Sequence, residues 1–170
     1  MKNLKKMILP VLAPMLTAIF PAVFLYGNNA EEAAFSEIVP VLLAFAGVGL
    51  ALLGVWFLVF RFVFRAKPFT SLRKASITAT LNATLFLNYA LIERAIQAVL
   101  PDLKYWHIVP ILFVLGILAA CAIQWYLPWK TAKPVCTVLC LVAAVLVAVN
   151  FAISIPGAAK RAETKRALRA

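Results

Sequence analysis

Thr78, Asn82, Tyr89, Glu93 and Gln97 recur inside one apolar run, Ser76 to Leu100, at intervals that put them within about a third of a helix circumference. Leu81, Leu85 and Leu87 cover the other sides of the same helix. Hydrocarbon offers Asn82 no hydrogen bond, so this polar stripe faces other helices or a wet crevice rather than lipid. Two chemistries are open to it: hydrogen bonding that glues helices together, or the lining of a path for a substrate or ion. Glu93 and Arg94 fall near the end of the run, where their stems reach the interface.

Other reactive side chains are few. His107 is the single histidine, which limits any multi-histidine metal site or Ser/His relay within one subunit, and a headgroup contact accounts for it. Cys136 and Cys140 stand four apart on one segment and Cys121 lies on another, with no CxxC pair, so they read as small packing residues. The acids are Glu31, Glu32, Glu37, Glu93, Asp102 and Glu163, and no ligand spacing joins them. No catalytic residue, metal site or cofactor is expected, and the chain is not expected to be an enzyme by itself.

The elements that must hold these groups follow from composition. Hydrophobic residues make up 65% of the 170 and mean hydropathy is +0.97, more apolar surface than a soluble core of this size can use. The apolar runs are long rather than alternating, which predicts an all-α polytopic membrane bundle with short loops and excludes a β-barrel reading. Lys and Arg outnumber Asp and Glu by 17 to 6, but they cluster beside apolar segments, so topology and anionic headgroups explain them and nucleic acid is not expected as a partner.

Five spans are predicted, at about 7–27, 38–60, 76–100, 108–127 and 135–153, forming a bundle over 1–157 with a basic juxtamembrane tail at 158–170. The first carries Pro10, Pro14 and Pro21, which should bend it, and is read as an uncleaved span. The turn that follows holds Glu31, Glu32 and Glu37 with no base, and Ser36 is the expected cap of the next helix. On the second span Ala44, Gly47, Ala51 and Gly54 share a face suited to close packing, or to a seam between copies.

Arg61, Arg65, Lys67, Arg73 and Lys74 form a basic loop and therefore mark the cytoplasmic side, which puts the amino terminus inside and the acidic turn outside. A turn at Pro101 to His107 is outer, and Lys130 and Lys133 are inner again. Pro156 and Gly157 should stop the fifth helix. The tail, with five bases and one acid, then emerges outside against the usual charge bias.

The run Phe24-Leu25-Tyr26-Gly27-Asn28-Asn29, continuing through Phe35, Ser36 and Glu37, resembles the membrane-embedded amino-terminal part of bacterial sulfatase-like proteins of the alkaline-phosphatase superfamily. Lys74-Ala75 and the aromatic patch Phe86 to Tyr89 extend the resemblance over nearly the whole chain. It implies an anchor of about five helices in the bacterial inner membrane, serving an extracytoplasmic hydrolase or transferase that acts on lipid-linked phosphate or sulfate groups of envelope polymers. In that superfamily the metal cluster and nucleophile sit in a soluble domain, none of whose residues has a counterpart here.

The resulting expectation is a non-catalytic module that anchors or partners such an activity, in trans or within a longer natural chain. Its partners would be membrane lipid, a lipid-linked envelope substrate, and another protein or a second copy. A small transporter or flippase-like subunit using the polar stripe, and a structural subunit of an oligomeric assembly, are the alternatives.

Overall fold

The computed structural model describes residues 2–100 and 105–167, and every described element is helical. Six α-helices follow one another: α1 (Lys2–Asn29), α2 (Phe35–Leu58), α3 (Pro68–Leu87), α4 (Tyr89–Gln97), α5 (Tyr105–Tyr126) and α6 (Trp129–Ala167). A π-helical turn, Val59–Val63, prolongs α2. The all-α membrane bundle expected from composition is what the chain forms. Four helices, α1, α2, α5 and α6, are long and apolar enough to cross a bilayer.

α3 is the least apolar of the long bundle helices bar α6 with its charged end, and its place explains why that is tolerated. It alone packs against α1, α2, α5 and α6, so Ser71, Ser76, Thr78, Thr80 and Asn82 are buried by protein rather than offered to hydrocarbon. Twenty residues at ~1.5 Å each still give it a membrane-length rise of ~30 Å. Through Ala75 and Ala79 it joins Leu53, Phe60 and Ala120 in one apolar cluster, and Ile77 joins Ala132 and Cys136 in another.

Three boundaries differ from expectation. The third span does not run from 76 to 100: α3 starts eight residues earlier, at Pro68, and the chain breaks at Asn88, whose φ of −100° and ψ of 19° are not helical. Pro68 supplies a fixed φ at the first turn, so the helix opens there and takes in much of the expected basic loop. The residues after Asn88 form the separate short helix α4. Secondly, α2 is capped at Ala34 rather than Ser36, with the Glu37 carboxylate accepting the Ala34 N–H at 3.2 Å.

Thirdly, Pro156 and Gly157 do not end the last helix, which continues through both to Ala167. Gly157 is needed for a close approach: a Cβ there would meet the Ala30 Cβ at 3.1 Å and the Glu31 backbone N at 3.2 Å. The glycine therefore lets α6 pass the α1–α2 turn rather than stopping it. Gly27 does the same from the α1 side, where a Cβ would lie 3.1 Å from the Asn150 carbonyl.

Candidate functional site

The polar groups of the bundle gather in three places: near the amino-terminal end of α3, midway along it, and where α6 passes the α1–α2 turn. Near the amino-terminal end of α3, Lys74 is only 6% exposed, and its ammonium donates to the Gln124 backbone carbonyl at 2.7 Å and to Gln124 Oε1 at 3.2 Å. A carbonyl in the last turn of α5 has no intrahelical partner to accept from, so Lys74 caps a helix C-terminus from a neighbouring helix. Beside it, the Cys136 thiol points to the Arg73 carbonyl at 3.3 Å, joining α6 to α3. Sequence reasoning placed Lys74 in a solvated cytoplasmic loop; the only signal that could have moved it inward was Gln124, the lone polar residue near the end of the fourth span.

Midway along α3, Thr78 and Asn82 are buried as the stripe requires, and Thr78 Oγ1 donates to the Lys74 carbonyl at 3.0 Å. Asn82 lies under Gly116 of α5, where a Cβ would come within 2.7 Å of Oδ1. The remaining members of the stripe lie further along the chain. Tyr89, Glu93 and Gln97 belong to α4, beyond the break at Asn88, and Gln97 Nε2 donates locally to Glu93 Oε1 at 3.3 Å on an exposed surface.

The face expected to pack on α2 is also elsewhere. Ala44, Gly47, Ala51 and Gly54 are all exposed, and a Cβ at Gly47 or Gly54 meets nothing within 4 Å. Close packing falls instead to Gly49, where a Cβ would stand 2.7 Å from the Pro14 carbonyl and 3.0 Å from the Ala18 Cβ. Pro14 and Gly49 lie at the α1–α2 seam, and Leu53 continues it one turn on.

At the end of the bundle that carries the α1–α2 turn, the basic tail meets the acidic residues. Lys160 Nζ lies 2.8 Å from Glu31 Oε1, and the Arg161 guanidinium 3.6 Å from Glu37 Oε1. Arg161 is the more enclosed of the two bases, 19% exposed against 69% for Lys160, so it is the one shielded from salt. Glu31 and Glu37 thus offset part of the positive charge that looked misplaced outside.

His107 is exposed near the start of α5, while Asp102 and the rest of Pro101 to Lys104 lie outside the described residues. Cys121 is half-buried and Cys136 and Cys140 are buried, all with free thiols. Among the described residues no group of three His, Cys, Asp or Glu side chains converges on a point where a metal ion would fit. Sequence reasoning missed one further row. Thr80 and Thr84 of α3 and Asn88 just past its end recur every fourth residue, on a side turned from the Asn82–Gly116 contact, and together with Thr17 of α1 they line an open groove of about 210 Å³ against α6.

The chain matches no protein-family model, and no curated protein or solved structure is similar to it.

Proposed function

We propose that the chain is a non-catalytic integral membrane module that anchors or partners an envelope-polymer-modifying activity, sulfatase- or phosphotransferase-like, at the outer face of the bacterial inner membrane. One observation carries this reading: α6 leaves the bundle as an unbroken helix and is fixed to the α1–α2 turn by Lys160–Glu31 and Arg161–Glu37. A charged stem held in one orientation suits a module that positions something else. Two inward polar groups agree, since Lys74 and Cys136 bond from helix to helix, while Asn82 packs against Gly116.

The transport alternative relied on one continuous lining from Thr78 to Gln97, which the break at Asn88 divides. The assembly alternative has its own support in the outward face Ala44, Gly47, Ala51 and Gly54, where small residues leave room for another backbone. Disulfide trapping of Gly47→Cys in native membranes tests it.

The anchoring role is tested by deleting the gene and measuring phosphate- and sulfate-bearing substituents on envelope polymers by mass spectrometry. Loss of substituents, restored by the wild-type chain and by Asn82→Ala but not by a chain with a flexible Gly-Ser insertion after Gly157, is the expected result. An envelope unchanged by deletion rejects the reading.

A further inference from the structure

The seam between α1 and α2 is tight at one level and open at another. Gly49 lets the two helices meet, since a Cβ there would stand 2.7 Å from the Pro14 carbonyl. Between that contact and the turn that joins them they part, leaving an open groove of about 330 Å³. Pro21, Leu25, Tyr26, Ile38, Val41 and Phe45 line it, with Asn29 and Glu37 at the end nearest the turn. Counted along α1 from Asn29 to Pro21, it runs for about 12 Å at ~1.5 Å per residue. Both walls belong to helices long and apolar enough to cross a bilayer, and Leu25 and Val41 are exposed at its rim, so the groove opens sideways onto hydrocarbon. A lipid chain is what it meets there.

At the polar end stands a charge that the protein leaves unsatisfied. Lys160 is engaged by Glu31 at 2.8 Å, whereas Arg161 stops 3.6 Å from Glu37, beyond the ~2.7–2.9 Å of a charge-assisted hydrogen bond. The other oxygen of Glu37 already accepts the Ala34 N–H. Arg161 Nη1 is buried and has no hydrogen-bond partner among the described residues. A guanidinium presents a planar fork of N–H donors, and the group in a bilayer that matches that fork is a phosphate. Because Glu37 both lines the groove and faces Arg161, the unmet donors and the apolar slot adjoin. Free phosphate would use only the first and plain hydrocarbon only the second; a phospholipid uses both.

We propose that the α1–α2 groove is a phospholipid site, in which an acyl chain lies between Leu25 and Val41 as far as Pro21 and Phe45 and the phosphate accepts from the Arg161 guanidinium. Glu37 keeps the fork at the mouth without saturating it. A lipid so held braces α6 against α1 and α2 beside the two ion pairs. The site stands whether or not the chain serves an envelope-modifying activity.

Native mass spectrometry of the protein released from nanodiscs of phosphatidylcholine and diacylglycerol with the same chains tests this. The wild type should keep a bound phosphatidylcholine in preference to diacylglycerol. Val41→Trp fills the groove and Arg161→Gln removes the charge, and each should cut the retained phosphatidylcholine at least ~3-fold. Leu43→Trp, which adds the same bulk at an exposed α2 position outside the groove, and Arg166→Gln, which removes a neighbouring charge, should keep it. Equal retention in Val41→Trp and Leu43→Trp, or in Arg161→Gln and Arg166→Gln, overturns the proposal, as does diacylglycerol held as firmly as phosphatidylcholine. Release of the lipid by inorganic phosphate also overturns it, since Arg161 would then be an anion site with no use for the groove.

Discussion

One methyl group separates Gly116 from a collision with Asn82, which makes that pair the sharpest residue-level test of the α3–α5 contact. Gly116→Ala should cost about 1–3 kcal/mol by overpacking. Adding Asn82→Ala should return at least ~0.5 kcal/mol of that loss, because the two side chains share one space. Unfolding in mild detergent, followed across the four members of the cycle, measures both. Lys74 makes a second prediction of the opposite kind. Lys74→Met keeps the stem but removes a charged donor from the Gln124 carbonyl, and should lower stability by about 1.5–3 kcal/mol, with α5 the first helix to become accessible to protease. A third concerns Arg65, whose φ of 51° lies in the left-handed region that favours glycine. Arg65→Gly should raise stability by up to ~1 kcal/mol, read as a higher midpoint in the same unfolding assay.

The helices themselves were largely readable from the chain, and the places where reading failed have physical causes. Apolar runs gave α1, α2, α5 and the apolar part of α6, because membrane length and hydropathy are properties of each segment alone. What neighbours decide was hidden. Lys74 looks solvated until α5 brings a carbonyl to it, and Gly157 looks like a stop until the α1–α2 turn is seen to need its missing side chain. Asn88 carries no Pro or Gly beside it to announce a break, so the stripe was extended across it onto α4. Thr78 and Asn82 were identified as inward-facing, and they are buried, but the row Thr80, Thr84, Asn88 escaped notice because threonine hydroxyls commonly bond their own helix. At this level the test is α6: Pro156→Ala should leave its helical content unchanged or raised by circular dichroism, since the helix already passes through that position.

For the molecule as a whole, the ion pairs at 31–160 and 37–161 put the acidic turn and the basic tail at the same end of the bundle. Whatever side of the membrane holds the acidic turn must also hold the tail, so Glu32→Cys and Lys165→Cys should react with an impermeant reagent from the same side of intact cells, and Ala66→Cys from the opposite one. Labelling of positions 32 and 165 from opposite sides would contradict the fold. The length of α6 carries a consequence of another sort. Its 39 residues extend ~58 Å, against a hydrocarbon layer of ~30 Å, so a good part of the rod overhangs the headgroups. A rigid overhang transmits angle as well as height: one alanine added between Thr164 and Lys165 would turn anything carried at its tip by ~100° while lifting it only ~1.5 Å. Cargo that must face a fixed direction would lose its bearing with one added residue and come close to regaining it with four.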